Sequence, residues 1–220
     1  MARIDLQSTA LLPPTRKALK GDVRYVVHEG GTRSSKTWSI LQALRLEALQ
    51  QEVEIDVARR HLRTLKATAM EDWEEILKGA GLYSEKKHDK TDHIYEVGQG
   101  RVRFMAADQG QKLRGAKRDV LYINEANELS PDSWRELRRR TRGTIVLDYN
   151  PSMASAHWVN DVLKTGRVRR IKSTYKLNPY LTDAQVKDIE SDVPVYREAD
   201  GTTVTDWDLT SDGDGELIKG

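Results

Sequence analysis

The sequence predicts an α/β fold, a three-layer sandwich in which helices cover both faces of a mainly parallel central sheet. Three observations point to this fold. Runs of β-branched and aromatic residues alternate with segments of helical periodicity along most of the chain. Two of these runs, 119–124 and 144–150, have few polar interruptions, as strands in the middle of a sheet do. The first strand passes through a glycine-bearing turn directly into a helix.

The first half of the chain begins this alternation. Residues 23–28 form a predicted strand that stops at Gly30 and Gly31, and helical periodicity starts at Lys36. The remaining elements of this half are a strand at 53–60, a helix around 65–77 that stops at the glycines of 79–81, and a hairpin at 94–106 closed by Gly98-Gln99-Gly100.

The second half continues the pattern up to an acidic end. The strand 119–124 is followed by a helix that Ser130 caps, that has Pro131 in its first turn and that runs to about Arg140. The later elements are the strand 144–150, ended by Pro151, a helix around 154–163, a basic strand at 167–175 and an acidic helix at 182–191. We interpret residues 1–193 as one domain and residues 194–220, rich in Gly, Asp and Thr, as an acidic linker or tail.

The composition excludes several classes of protein. With 220 residues, 38% hydrophobic and 32% charged, the chain suits one domain with a sizeable core. No apolar run approaches the roughly 20 residues of a membrane-spanning helix, so no membrane partner is expected. Zero cysteines exclude disulfides and cysteine-ligated metal. Residues 1–180 carry a net charge of +10 and residues 181–220 one of −8, an asymmetry that modestly favours a nucleic-acid partner.

The turn after the first strand has the pattern of a phosphate-binding loop. Residues 30–37, GGTRSSKT, match G-x-x-x-x-G-K-[ST] at every defined position but one. In such a loop, backbone N–H groups surround nucleotide phosphates at a helix N-terminus, a lysine reaches the β- and γ-phosphates, and a hydroxyl binds Mg²⁺. The alternative is a glycine-bearing turn with a structural role only. The candidate nucleotide-binding residues are Gly30, Gly31, Thr32, Arg33, Ser34, Ser35, Lys36 and Thr37.

Ser35 stands in the slot that glycine normally fills. Glycine there permits close approach of the backbone to the phosphates, and serine is one of the smallest replacements. Serine costs little if the backbone at this position is close to right-handed helical. We therefore expect a working loop in which serine is a tolerated variant.

Asn124 and Glu125 follow the apolar strand of residues 120–123, at the edge where open α/β sheets bind ligands. Glu125, 89 residues after Lys36, is the predicted general base or orienter of the attacking water. The alternative is a solvated glutamate at the start of a loop. Asn124 occupies a position where aspartate is usual; its amide can hydrogen-bond a metal-bound water but brings no charge, so we expect weaker Mg²⁺ binding. Thr37 and Asn124 are the predicted metal residues, the latter through water.

A third motif is LDYNPS, residues 147–152. Asn-Pro favours an ordinary turn, and the motif is weak by itself. A polar side chain at this strand end, beside the phosphates, could instead sense the γ-phosphate and report its loss.

The chain resembles the large terminase subunit of tailed phages in five stretches, which follow one another in the family's order. They are GGTRSSKT, ARRHLRTLKATAMEDWEEIL, KLRGAKRDVLYINEANELSPDSWRELRRRTRG, LDYNPSMASAHWV and STYKLNPYL. The resemblance implies an ASCE-type, RecA-like P-loop ATPase with ATP and Mg²⁺ as cofactors, which drives double-stranded DNA into the procapsid. Carried over, residues 30–37 are the Walker A loop, with Arg33 as its additional arginine. Asn124-Glu125 become the Walker B end, and Tyr149, Asn150 and Pro151 the coupling motif.

The resemblance also implies partners and a place of action. They are a homo-oligomeric ring, a pentamer on the portal protein of the procapsid and a monomer in solution, the small terminase subunit, and the host cytoplasm of an infected bacterium. An arginine between Walker B and the coupling motif is implied to act on the ATP of a neighbouring subunit; Arg139 and Arg142 are the candidates. Without the resemblance, this arginine-rich stretch is equally a solvated helix face or a set of DNA backbone contacts.

Full-length members of the family continue into an RNase H-like nuclease. The 27 residues from Pro194 are too few for that fold, so we expect an ATPase domain alone, without DNA cleavage by this chain. Two other functions stay open at this point: another P-loop DNA-dependent ATPase, such as a helicase-like or DNA-partitioning protein, and a nucleotide-gated assembly module with little hydrolysis.

Overall fold

A computed structural model describes residues 9–108, 117–151 and 157–191, together with the backbone of four short strands in the tail. The helices are α1 (Leu12–Leu19), α2 (Lys36–Gln50), α3 (Leu62–Leu65), α4 (Glu71–Gly79), α5 (Pro131–Arg139), α6 (Trp158–Leu163) and α7 (Asp183–Ser191), with a π-helical turn at Lys66–Met70 between α3 and α4. The strands are β1 (Tyr25–Gly30), β2 (Glu54–Arg59), β3 (His88–Asp89), β4 (Ile94–Val97), β5 (Gly100–Ala106), β6 (Val120–Ile123), β7 (Ile145–Tyr149) and β8 (Val168–Ser173). Among the described residues, no helix is both long and apolar enough to cross a bilayer.

The eight strands form one sheet in the order β3-β4-β5-β2-β6-β7-β1-β8. β5, β2, β6, β7, β1 and β8 run parallel, and β3 and β4 add an antiparallel extension. The predicted α/β sandwich is therefore confirmed, and β6 and β7 lie in the middle, as their apolar sequences predicted. β8 is an edge strand, so its basic side chains lie where charge keeps an exposed edge soluble.

Two hydrophobic cores pack against the two faces of the sheet, because successive strand residues point to opposite sides. The core that includes residues of α2 and α4 is centred on Trp73, which is fully buried against Tyr95 and Phe104. The other core contains Trp134 of α5 and Trp158 of α6, whose rings stack at 4.5 Å. Both faces are thus covered, which leaves the ends of the strands as the place for a site.

The local signals at helix and hairpin ends are confirmed. The Ser130 hydroxyl accepts a hydrogen bond from the backbone N–H of Ser133 at 3.2 Å, and Pro131 opens α5. Gly98 turns the β4–β5 hairpin with φ of +63°, a conformation that glycine adopts without strain. The predicted start of α6 at residue 154 lies outside the described residues.

The acidic tail contains strands that its composition did not predict. Val195–Arg197 pairs with Thr203–Thr205, and Leu209–Ser211 pairs with Leu217–Lys219, both antiparallel. Neither pair joins the eight-stranded sheet. The segment expected to be an acidic linker or tail thus has paired backbone of its own.

His28 makes the stability of the fold pH-dependent. Its ring is fully buried in β1, with Nε2 3.2 Å from the Thr15 hydroxyl, and burial together with the charge of Lys36 lowers its pKa to about 3. As pH falls below the usual histidine pKa of about 6.5, the unfolded chain therefore takes up a proton that the folded chain does not bind.

We expect the contribution of the neutral His28 ring to the free energy of unfolding to be fully present above about pH 6.5. Below that pH the contribution is lost at up to about 1.4 kcal/mol per pH unit as pH falls toward 3. Urea unfolding between pH 8 and 5 measures this slope. His28→Gln, which keeps a polar side chain without a titrating ring, should lower the slope by most of that amount. Equal slopes for the two proteins would contradict the prediction.

Candidate functional site

The predicted loop, the end of β6 and the end of β7 meet at the carboxyl edge of the sheet. They border an open cleft of about 460 Å³. Its lining includes residues 32–37, Glu125 and Asn150 from the predicted site, and Thr9, Asn178 and Tyr180 from outside it. A second cleft, of about 500 Å³, lies between α2 and α4 and contains none of the predicted site residues.

The loop from Gly30 to Ser35 is a tight strand-to-helix connection. A Cβ on Gly30 would collide with the carbonyl oxygen of Ser173 in the neighbouring strand β8, so glycine is required there. Arg33 has φ of 60°, and its carbonyl accepts a hydrogen bond from Asn178 Nδ2 at 2.9 Å. The loop is thus held from both sides by β8 and by the segment that follows it.

The condition under which serine would cost little, a near-helical backbone at residue 35, is not met. Ser35 has φ of 62° and ψ of 18°, in the left-handed region, where a residue with a Cβ is strained by roughly 1 kcal/mol. The Ser35 hydroxyl is buried and has no hydrogen-bond partner among the described residues. Glycine is usual in this slot for the same reason, and the serine of this chain adopts the glycine conformation at a cost.

Lys36 lies at the centre of the loop. Its ammonium group donates to the carbonyl oxygens of Gly30 (2.8 Å) and Gly31 (2.9 Å), and it also reaches the Ser34 hydroxyl (3.3 Å) and Asn150 Oδ1 (3.1 Å). Burial lowers the pKa of Lys36, and the negative charges of Asp148 and Glu125 oppose that shift. A buried ammonium held this way is placed to bind an anionic group that enters the loop.

The two predicted metal residues, Thr37 and Asn124, lie 3.4 Å apart, between the Thr37 hydroxyl oxygen and Asn124 Nδ2, and a third residue joins them. The Thr37 hydroxyl donates to Asp148 Oδ2 at 3.2 Å, and Asn124 Nδ2 donates to both Asp148 carboxylate oxygens at 3.2 Å. Asp148 is fully buried; burial raises its pKa, and the charge of Lys36 lowers it. Asp148 was not among the predicted site residues; its one sequence signal is a carboxylate within an otherwise apolar strand.

Glu125 lies at the tip of β6, half-buried and lining the cleft. Its φ of 52° is left-handed, and its backbone N–H donates to Asp148 Oδ1 at 2.8 Å. Burial raises the pKa of Glu125, the charge of Asp148 raises it further, and Lys36 and Arg59 oppose the rise. A carboxylate with a raised pKa is a better proton acceptor, as a general base must be.

Arg59, at the end of β2, also reaches this cluster. Its guanidinium holds Glu128 with two hydrogen bonds, of 2.7 and 3.0 Å, and Nη1 donates to Asn124 Oδ1 at 3.3 Å. Glu128 raises the pKa of Arg59, which therefore stays charged. Arg59 lies in ARRHLRTLKATAMEDWEEIL, one of the stretches that carry the resemblance, but the partner Glu128 carried no sequence signal.

The three residues of the predicted coupling motif have different surroundings. Tyr149 is buried, and its hydroxyl donates to Glu29 Oε2 at 2.9 Å. Asn150 faces the cleft and contacts Lys36, while Pro151 is exposed. The motif therefore includes one direct contact with the loop.

Arg139 and Arg142 lie far from this edge of their own chain. α5 runs back along the sheet, and Arg142 pairs with Asp119, just before β6, at 2.9 Å. The length of β7, at least about 13 Å, separates Arg142 from the cleft. Arg139 is exposed beside Glu136, 3.6 Å away. Neither arginine contacts Lys36 or Glu125 in the same chain.

The cluster has the chemistry of a small oxygen-rich metal site. The described residues include no group of three or more His, Cys, Asp or Glu side chains that could hold a metal by themselves. One carboxylate and one hydroxyl beside the predicted phosphate-binding loop nevertheless suit Mg²⁺, which keeps several waters and takes its other ligands from substrate phosphates.

Comparisons with known proteins support the same fold. The family model described as phage terminase large subunit matches residues 22–198. The large terminase of a thermophilic bacteriophage superposes with a TM-score of 0.74 at 13% identity, covering 90% of this chain and 52% of that one. The same terminase in complex with ADP gives a TM-score of 0.69 at 14% identity, over 89% of this chain and 52% of that one.

The large terminase ATPase domain of Thermus phage P74-26 is similar too, with a TM-score of 0.55 at 13% identity over 79% of this chain and 90% of that one. At such identities these structures establish the P-loop ASCE fold alone. This chain spans about half the length of the full terminase from the thermophilic bacteriophage. No curated protein sequence matches it.

Proposed function

Because this chain belongs to the phage terminase large subunit family, we propose that it is an ATP-hydrolysing motor domain that drives double-stranded DNA into a procapsid. The observation that carries the proposal is the convergence of Lys36, Thr37 and Glu125 on one cleft at the carboxyl edge of the sheet. A phosphate-binding lysine, a metal-binding hydroxyl and a carboxylate base are the parts that nucleotide hydrolysis needs.

Each residue has a distinct part in the proposed reaction. The N–H groups of the loop bind the phosphates, and Lys36 exchanges carbonyl partners for the β- and γ-phosphates. Glu125 accepts a proton from the attacking water, which its raised pKa favours. Thr37 would hold Mg²⁺, whose charge would stabilise the transferring phosphoryl group.

Asn150 links this chemistry to the rest of the sheet. It shares the Lys36 ammonium with the loop carbonyls, so a γ-phosphate that binds Lys36 competes with Asn150 for it. We assign the coupling role to Tyr149, Asn150 and Pro151, with Asn150 as the residue that responds to the phosphate. The Tyr149 hydroxyl connects the same strand end to Glu29.

The partners proposed for the motor follow from its family. They are double-stranded DNA, the portal of the procapsid, the small terminase subunit and further copies of this chain in a ring. Arg139 and Arg142 lie away from their own cleft, on a surface where an arginine could reach a neighbour's nucleotide. Their trans role, like the DNA-packaging activity, is part of the proposal.

Family membership removes the other DNA-dependent ATPases from consideration. A nucleotide-gated assembly module remains the competing function, and hydrolysis rate distinguishes it from a motor. Glu125 beside a phosphate-binding loop favours hydrolysis, because binding alone needs no base.

Lys36→Ala tests the proposal directly. We expect ATP affinity to fall by about 10- to 100-fold, the worth of a charge-assisted hydrogen bond to phosphate, with a matching loss of hydrolysis. Fluorescent ATP-analogue binding and steady-state phosphate release measure the two effects, under conditions that support ring assembly. Lys17→Ala, at an exposed lysine of α1, is the matched control.

Wild-type turnover no faster than that of Lys36→Ala would overturn the hydrolase function. Wild-type binding without turnover would instead favour the assembly module.

A further inference from the structure

We propose that Asp148, on β7, supplies the carboxylate of the Mg²⁺ site that position 124, on β6, does not. The carboxylate that usually follows β6 thus lies on the adjacent strand β7. Asn124, in its place on β6, acts as a positioning residue for Asp148. The inference rests on the proposed nucleotide function and deepens it by naming the residue beside the metal.

The strand register makes the exchange possible. β6 and β7 pair in parallel with Ile123 opposite Leu147, so Asn124 and Asp148 are the next residues side by side. Their side chains meet at 3.2 Å on the face of the sheet that carries Thr37. A carboxylate at either position therefore reaches nearly the same point in space.

Asp148 is held in a fixed position by donors on three sides. Glu125 N–H binds Oδ1 at 2.8 Å, Thr37 binds Oδ2, and the Asn124 amide binds both oxygens. Only the NH₂ end of an amide can donate to two carboxylate oxygens, so this end of Asn124 must face Asp148. The other end accepts from Arg59, which fixes the amide on both sides.

The electrostatics favour a cation at this point. Asp148 is completely buried and forms no salt bridge with any residue in the described part of the chain. An ionised carboxylate is costly to bury unless hydrogen bonds and a counter-charge compensate it. Hydrogen bonds are present, the charge of Lys36 offsets part of the cost, and a metal held against Thr37 would add a counter-charge.

The Thr37 hydroxyl has the matching orientation. The hydroxyl proton points to Asp148, and one oxygen lone pair accepts from Asn124 Nδ2 at 3.4 Å. The second lone pair is the one available to a metal. Carboxylates that orient a metal-binding hydroxyl or a metal-bound water typically change metal affinity by about 10- to 100-fold when removed. Asp148 is therefore expected to matter more for Mg²⁺ than for the nucleotide itself.

Moving the carboxylate from position 148 to position 124 tests the proposal with binding measurements that do not depend on ATP hydrolysis. The proteins are wild type, Asp148→Asn, and the double variant Asn124→Asp/Asp148→Asn, each checked for folding by circular dichroism. Two readouts are taken: the Mg²⁺ dependence of fluorescent ADP binding, and Mn²⁺ binding followed by electron paramagnetic resonance. ADP binding in EDTA reports the nucleotide site without metal.

We expect Asp148→Asn to raise the Mg²⁺ concentration for half-maximal binding at least about tenfold, with ADP binding in EDTA unchanged. The double variant returns the carboxylate at position 124 and should come within about threefold of wild type. An unchanged Mg²⁺ dependence in Asp148→Asn, or a double variant no better than Asp148→Asn, overturns the proposal.

If Asp148→Asn fails to fold, the double variant decides, since it keeps one carboxylate and one amide; a loss of about tenfold in it overturns the proposal. Absence of ADP binding by wild type, with and without metal, overturns the proposed nucleotide function and this inference with it. Metal-independent ADP binding by wild type overturns the Asp148 inference alone.

Discussion

Glu125→Gln is expected to slow ATP hydrolysis by about 10²- to 10⁴-fold while nucleotide affinity stays within about threefold of wild type. Glutamine has nearly the same shape and can still line the cleft, but it cannot take a proton from water. The backbone N–H of residue 125, which holds Asp148, is unaffected by the change. Single-turnover hydrolysis and fluorescent-analogue binding separate the two quantities.

Glu96→Gln, at an exposed glutamate of β4, is the matched control and should keep wild-type turnover. Hydrolysis by Glu125→Gln within about tenfold of wild type would place the base elsewhere. Loss of nucleotide binding in the same variant would show that Glu125 shapes the loop rather than activates water.

Asp56→Ala is expected to lower the free energy of unfolding by about 3–5 kcal/mol. Asp56 is buried in β2 and binds two guanidinium groups, Arg118 Nε at 2.6 Å and Arg103 Nη2 at 2.7 Å. Arg118 is itself completely buried, so removing the carboxylate leaves its charge inside the fold without this partner. Burial lowers the pKa of Arg118, and Asp56 is the group that opposes this shift.

Urea unfolding with circular dichroism measures the loss. Asp22→Ala is the matched control, because Asp22 binds Arg167 at the same 2.7 Å while its side chain is 97% exposed; we expect a change within about 0.5 kcal/mol. A loss below about 1 kcal/mol for Asp56→Ala would mean that Arg118 reaches water or another partner when the carboxylate is removed.

Much of the fold could be predicted because its signals are local. Apolar runs mark β6 and β7 as inner strands, and the apolar period after Lys36 marks α2. Gly30 and Lys36 predict the loop, and the end of an inner strand predicts the place of Glu125. Each of these features depends on residues that are close together in the sequence, so residue patterns and propensities are enough to predict it.

The rest of the site depends on contacts between distant segments. Asp148 belongs to the site because β7 pairs with β6 and because the Thr37 hydroxyl, 111 residues away, contacts its carboxylate. Neither contact can be read from the local sequence around residue 148. Ser35 shows the same limit for backbone geometry. Its backbone is left-handed, which the identity of a serine side chain does not indicate.

Three consecutive residues at the end of β7 contact groups on both faces of the sheet. Asp148 and Asn150 point to the loop, and Tyr149 points to Glu29, which also binds Arg170 on the edge strand β8. Mechanically, this strand end connects two groups on opposite faces of the sheet. Asn150 contacts the Lys36 ammonium, and Tyr149 contacts the basic edge strand β8 through Glu29. A small displacement at Lys36 therefore has a path through packed side chains to the outer strand, with no loop in between to absorb it.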